Sequence, residues 1–293
     1  MIELRHLRYF LAVAEELNFT RAAERLHMAQ PPLSVAIRQL EDELGTQVLT
    51  RTTRDVHLTE AGAAFLAGAR STLAELDRSV DAARRAASGE VGRVRVGFSW
   101  GARFVTLPAI GRAIQEAHPD LTLLTQEMWN ARMPEALRDG LIDIAIAVCP
   151  EVSGGLAYER IRAEPLVVLV GAGHRLAAAP DVSLEKLRDD SFLMFPRELA
   201  PRFYDLLVAA CRRAGFEPTV GNDSFHTNWE LGLLEDPSLV ALVPASVSTG
   251  IGEGVVALRL TAPEPIETVL VWREGAASPA AEAFREAARA ATD

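Results

Sequence analysis

The chain has 293 residues, 49% hydrophobic and 24% charged, a balance that supports packed cores and excludes global disorder. At roughly 100–200 residues per domain it holds two to three domains, and a formal charge of −10 argues against a protein that coats nucleic acid by charge alone. Two cysteines, Cys149 and Cys211, are too few for a disulfide framework or a four-thiolate zinc site, while the lack of a signal-peptide stretch or a membrane-length apolar run predicts a cytoplasmic chain without a membrane partner.

Residues 4–17 predict an amphipathic helix, with Leu4, Leu7, Phe10, Leu11, Ala14 and Leu17 at three- and four-residue spacing. Thr20 is placed to cap a second short helix, Arg21 to about Met28. After Gln30-Pro31-Pro32, prolines that a first helical turn tolerates, a third helix buries Leu33, Ile37, Leu40 and Leu44 and stops at Gly45. Val48-Leu49 and Val56–Leu58 flank a short turn and predict a two-stranded wing. The N-terminal 58 residues thus form a winged helix-turn-helix.

From Thr59 to about Ala87 no proline occurs, and positions 66, 69, 73, 76, 80, 83 and 87 are Leu, Ala, Leu, Leu, Val, Ala and Ala. That unbroken three-four repeat predicts one long linker helix over 59–88 whose narrow seam is reserved for a partner helix. The alternative is a helix packed on its own domain. Ser88–Gly92 reads as a hinge.

Beyond the hinge, apolar runs alternate with helical stretches. Val94–Phe98, Leu121–Gln126, Ile142–Val148, Leu166–Val170, Phe192–Phe195, Thr219–Phe225, Leu239–Val243 and Thr268–Trp272 are expected strands. Helices are expected near 103–117, 132–139, 201–214, 228–235 and 279–291. Such alternation predicts an α/β domain around a mostly parallel sheet. The charge divides along the same line: 11 Arg against 12 acids through residue 88, then 19 basic against 28 acidic residues.

Among motifs that carry chemistry, Gly97-Phe98-Ser99-Trp100-Gly101 is a literal G-x-S-x-G at a strand-to-helix junction, where a hydrolase would place its nucleophile. Asp143 with His174 or His226 would complete a triad by order alone. The competing reading makes Ser99 a hydroxyl at a helix start that binds an anionic ligand, and it takes precedence because no earlier strand of the unit supplies an oxyanion donor. Gly250-Ile251-Gly252-Glu253-Gly254 is a turn, since Glu253 would repel phosphate. The six histidines include no pair at ligand spacing, so neither metal nor cofactor is expected. Trp100 and Trp129 follow predicted strands and become candidate crevice walls.

On the third helix Gln30, Ser34 and Arg38 share the face opposite the core positions. Gln matches adenine, Ser several base edges, and Arg guanine or phosphate. Arg51, Thr52 and Arg54 at the wing suit phosphate contacts.

Taken together, Leu4–Phe10, Phe19–Leu26, Ala29–Ser34, Ile37–Gly45 and Leu58-Thr59-Glu60-Ala61-Gly62 resemble the LysR-type transcriptional regulators. The resemblance spans essentially the whole chain. It implies a winged helix-turn-helix (1–58), a linker helix (59–88) and a two-lobed effector domain like periplasmic binding proteins, with lobe I at 89–162 and 266–293 and lobe II at 163–265. It implies operator DNA, a small organic anion, RNA polymerase and further copies of the chain, as dimer or tetramer, for partners. Gln30, Pro31, Ser34 and Arg38 would face the major groove, and Thr20 and Val35 complete the DNA-binding residues; Val35 stands where many members have arginine. The effector crevice would take Ser99, Trp100, Gly101, Trp129, Asn130, Phe195, Arg197, Pro201, Phe203, His226 and Thr227. Glu235-Asp236-Pro237-Ser238-Leu239 departs from the family's usual glycine-rich turn. The winged helix opposes a hydrolase, and the lack of a signal peptide opposes a periplasmic receptor.

Overall fold

The computed structural model describes residues 1–51, 56–88, 92–152, 154–221, 229–263, 265–275 and 278–292. They divide into two compact units, Met1–Gly89 with Arg138–Leu141, and Glu90–Leu137 with Ile142–Asp293.

The first unit runs α1 (Leu4–Glu16), α2 (Phe19–Arg25), α3 (Gln30–Leu44), β1 (Leu49–Arg51), β2 (Val56–Leu58) and α4 (Glu60–Ser88). Phe10, Leu33, Ile37, Leu40 and Leu49 close its core, all essentially without solvent contact. The cap of α2 differs from expectation. Asn18, not Thr20, caps it, accepting from the Thr20 and Arg21 amides at 2.9 and 3.1 Å. Asparagine is among the strongest N-caps, so the helix begins two residues earlier than the sequence reading placed it. Pro31 and Pro32 sit in the first turn of α3, and Gly45 ends it at φ +68°. That left-handed conformation suits glycine.

Helix α4 divides the expected seam in two. Ala69 is buried in the core of the N-terminal unit, and Leu66 and Leu73 lean on it. Only past Leu73 does the seam leave its own domain: Leu76 is half-buried and Val80 is 39% exposed. The side chains of Ala83 and Ala87 lie outside the described residues. Packing on its own domain therefore holds for the first part of the helix, and the seam beyond Leu73 is left partly exposed. Near its start, Gly62 is pressed so closely on β1's approach that a Cβ there would lie 2.0 Å from the Val48 carbonyl oxygen.

The second unit contains β3 (Gly92–Phe98), α5 (Thr106–Ala117), β4 (Leu121–Glu127), α6 (Met133–Arg138), β5 (Ile144–Val148) and β6 (Leu156–Gly171). There follow β7 (Asp181–Val182), β8 (Ser191–Phe192), α7 (Pro201–Arg213), β9 (Thr219–Val220) and α8 (Trp229–Glu235). It closes with β10 (Leu239–Pro244), β11 (Val255–Leu260), β12 (Pro265–Arg273) and α9 (Pro279–Thr292). The strands join in the order β4-β3-β5-β12-β6-β10-β8-β9, with β11 and β7 along the other edge of β6.

The sheet is mixed rather than mostly parallel. β3 lies parallel to β4 and β5, and β8 to β10 and β9, but β12 and β6 run antiparallel to their neighbours. Residue by residue, β6 changes partners: 156–165 pair with β12, and 166–171 pair with β10 and β11. Its first ten residues, Leu-Ala-Tyr-Glu-Arg-Ile-Arg-Ala-Glu-Pro, contain no apolar run, so the sequence reading found only its second half. β11 was missed as well. The run Phe192–Phe195 pairs only at Ser191–Phe192, and Thr219–Phe225 is a strand only over Thr219–Val220, the stretch from 222 lying outside the described residues. On one side of the change of partners, Val94, Val96, Ile110, Ile144 and Phe284 form a core; on the other, Leu166, Val168, Phe192, Val240 and Cys211 form a second.

Candidate functional site

Two surfaces answer the sequence reading, one in each unit. On α3 the core residues Leu33, Ile37 and Leu40 turn inward, which leaves Gln30, Pro31 and Arg38 exposed and Ser34 half-buried on the outer face. Gln30 Nε2 donates to Ser34 Oγ at 2.8 Å, so these two side chains are held beside each other before any partner arrives. Arg38 forms no ion pair with a described residue, whereas Arg25 is engaged by Glu15 at 2.7 Å and Glu16 at 3.4 Å. Val35 is 51% exposed between them, an apolar group of the kind that meets a thymine methyl. Thr20 is exposed in the first turn of α2. Arg51 ends β1, but its side chain, like Thr52 and Arg54, lies outside the described residues.

In the second unit the chain brings together residues that are far apart in sequence. Ser99 follows the end of β3, Asn130 follows β4, and Val148 ends β5. Parallel strands deliver their carboxyl ends to one edge, where open α/β sheets bind ligands. Ser99 Oγ accepts from the Val148 amide at 3.1 Å, and Asn130 Nδ2 donates to the Val148 carbonyl at 2.7 Å. Facing them, Trp129, Phe195 and Phe203 form a row of rings with centroids 5.5 and 5.7 Å apart. These groups, with Trp100, Gly101, Ala200 and the segment Leu242–Pro244, line a cleft of about 490 Å³, its open mouth included. Asn130 Oδ1 is buried in that wall without a hydrogen-bond partner among the described residues. An orphaned buried acceptor costs on the order of 1–3 kcal/mol, which a ligand donor would recover.

Of the expected effector residues, Ser99, Trp100, Gly101, Trp129, Asn130, Phe195 and Phe203 share this cleft. Arg197 does not. Its guanidinium is on the surface in a bidentate pair with Asp205, 2.7 Å on each branch, which holds the Asp205 carboxyl below the usual carboxylate range. Pro201 opens α7 outside the lining, and His226 and Thr227 lie outside the described residues. Among the described residues the lining holds no charged side chain. The sequence reading missed Val148, Ala200 and Leu242–Pro244. The ends of β5 and β10 were the available signal, since strand ends line the crevice of such sheets.

The G-x-S-x-G match has a packing origin. A Cβ on Gly97 would stand 2.7 Å from Ile142 Cδ1, and one on Gly101 would press on Pro244 at 3.3 Å. Ser99 has ordinary extended backbone, φ −75° and ψ 149°, unlike a strained nucleophile turn. Its expected triad partners are engaged elsewhere: Asp143 binds Arg95, and His174 faces Asp190 at 3.4 Å. Both thiols are buried. Burial pushes Cys149 up and Cys211 up to about 12, so neither is a thiolate at neutral pH. No helix among the described residues is long and apolar enough to cross a membrane.

A winged helix-turn-helix and an α/β unit with a cleft at its strand ends, on one chain, define a DNA-binding regulator with an effector-binding domain. Residues 4–63 match the bacterial regulatory helix-turn-helix protein, lysR family, and residues 87–293 match the LysR substrate binding domain. The chain belongs to the LysR family of transcriptional regulators, which are not enzymes. It is 41% identical to the HTH-type transcriptional regulator TfdS of Cupriavidus pinatubonensis over 84% of each chain. With the regulator AlsR of Bacillus subtilis the identity is 37%, over 84% of this chain and 81% of that one. The crystal structure of CbnR, a LysR family transcriptional regulator, superposes with a TM-score of 0.82 at 29% identity and full coverage of both chains. CbnR complexed with its target DNA gives 0.79, covering 99% and 100% of the two chains.

Proposed function

We propose that this regulator reads operator DNA through Gln30, Pro31, Ser34, Val35 and Arg38, and that a small organic acid held in the Ser99–Asn130 cleft controls it. The observation that carries the reading is the cleft itself, apolar along its length and polar only where Ser99 and Asn130 meet Val148. The row of rings suits the body of a ring or short hydrocarbon, and the Ser99 hydroxyl suits an acid oxygen. Without Arg197 in the wall, recognition of the acid falls to this hydroxyl and the first amides of the turn that starts at Trp100.

Lobe I is assigned to 89–162 with 266–293 and lobe II to 163–265, a division supported by the exchange of partners along β6. Thr20, Arg51, Thr52 and Arg54 are assigned to the DNA backbone. The seam beyond Leu73 is assigned to a second copy of the chain, and the assembly works in the cytoplasm, where the DNA and RNA polymerase are.

Selection of bound sequences from a randomised duplex library tests the DNA half. Gln30→Ala and Ser34→Arg change the preferred sequence, each good base contact contributing about 1–3 kcal/mol. An unchanged preference removes α3 from the interface. Ser99→Ala tests the other half: it weakens the response to an effector several-fold. A fluorophosphonate that labels Ser99 stoichiometrically, with ester turnover lost in Ser99→Ala, would return the site to the hydrolases.

A further inference from the structure

We infer that the effector carries a hydroxyl beside its acidic head, and that Asn130 selects for it. The inference rests on reading the cleft as the effector site and names the chemistry of the ligand. Asn130 Nδ2 donates to the Val148 carbonyl at 2.7 Å, and this fixes which end of the amide is oxygen. The reversed amide would set two carbonyl oxygens against each other. Asn130 Oδ1 is therefore an acceptor, on a residue only 8% exposed, in the cleft wall and without a partner among the described residues.

On the same residue, Ser99 Oγ accepts the Val148 amide at 3.1 Å, which leaves the serine hydrogen to donate. Both polar atoms of the Val148 backbone are thus engaged, one by each side chain, and neither side chain can exchange its role without losing that bond. The polar end of the cleft consequently holds one donor and, just beneath its surface, one acceptor. A plain carboxylate has acceptors only. It takes the Ser99 hydroxyl but sets its second oxygen against Asn130 Oδ1. A hydroxy acid satisfies both, its carboxylate accepting from Ser99 and its hydroxyl donating to Asn130. Sites built to bond a substrate hydroxyl discriminate strongly against the analogue that lacks it.

The test titrates the full-length protein with matched acids: lactate and propionate, 2-hydroxybutyrate and butyrate, mandelate and phenylacetate, salicylate and benzoate. Fluorescence of Trp100 and Trp129 in the wall reports binding, and calorimetry checks it. In the pair that binds most tightly, the hydroxy acid binds at least about tenfold better than its partner, and Asn130→Ala brings the two within about twofold. Equal binding of the two members by the unaltered protein overturns the inference, with no variant needed. If that equal binding is lost in Ser99→Ala and Phe203→Ala, the cleft remains the effector site and only the hydroxyl is wrong. Binding that ignores both substitutions overturns the cleft reading as well. No binding of any member at millimolar concentration overturns the acid class.

Discussion

The outer face of α3 and the Ser99–Asn130 cleft are built on opposite plans. Gln30, Pro31, Ser34, Val35 and Arg38 all come from one fifteen-residue helix, so their geometry follows from helical spacing alone. The cleft draws on the ends of β3, β4, β5 and β10, on the loop before α7 and on that helix's first turn, residues spread from Ser99 to Pro244. A local surface survives substitutions elsewhere as long as its helix stays docked. A composite one depends on register across a whole sheet. The practical lesson is that damage to the first is graded, whereas damage to the second is collective.

Two glycines offer the sharpest way to break that contrast. Gly62 and Gly171 are each pressed on backbone, with an added Cβ 2.0 Å from the Val48 oxygen and 2.1 Å from the Leu233 oxygen. Alanine at either position forces main chain apart, at a cost of about 3 kcal/mol. Gly62→Ala is expected to lower the melting temperature of the N-terminal unit and abolish operator binding while ligand binding persists. Gly171→Ala, in the strand that spans both cores, is expected to abolish ligand binding. Calorimetric unfolding with parallel binding assays reads both, and equal damage to both functions by either variant would erase the distinction.

Next in size is the seam of α4. Leu76→Glu with Val80→Glu spares the core that Leu66, Ala69 and Leu73 serve. It sets charge in the free stretch, so dimers are expected to dissociate at a cost of about 2 kcal/mol or more. Sedimentation of an intact dimer would return the whole seam to the N-terminal unit. Smaller again is Asn18→Ala, which removes the α2 cap and costs about 1 kcal/mol of stability in chemical denaturation, with no effect on the cleft.

The smallest effect is electrostatic. Arg289 holds Glu159 in a two-branched pair of 2.7 and 2.8 Å, and this hydrogen bonding keeps the Glu159 carboxyl below its ordinary range. Such a depressed group adds stability that is complete above the unfolded value, near 4.3, and fades as pH falls through the lower folded one. Both side chains are partly exposed, so the contribution is about 0.5 kcal/mol. In Arg289→Ala the acid limb of the stability curve should become shallower below pH of about 5. An unchanged limb would leave the pair without weight.

How much was legible in the sequence follows the same division. Helix α3, its prolines and its Gly45 stop could be read because apolar spacing, first-turn proline and terminal glycine each have a local cause. The cap of α2 went to the wrong residue because Asn18 and Thr20 both suit the role, and one turn of spacing does not choose between them. In the cleft, Ser99 and Trp129 were found because they follow strands with clear apolar runs, whereas Asn130 came from the family resemblance. Arg197 was misplaced because the resemblance assigns the position without showing its partner, and Asp205, eight residues on, takes the guanidinium. The first half of β6 stayed hidden because Glu159, Arg160, Arg162 and Glu164 interrupt it, each given a use by its surroundings: Glu159 meets Arg289, Arg160 meets Glu267, Arg162 pairs with Glu164, and buried Glu164 accepts from the Ser246 amide at 2.5 Å.

That strand has a mechanical consequence. Because β6 is unbroken while its neighbours change at Pro165, the two cores cannot slide past each other without stripping ladder bonds from one of them. Twist is the soft coordinate of a β-ribbon, varying by tens of degrees between strands at little cost. β6 therefore acts as a torsion bar. A ligand in the cleft is thus expected to show itself as a small rotation of one core against the other about one axis.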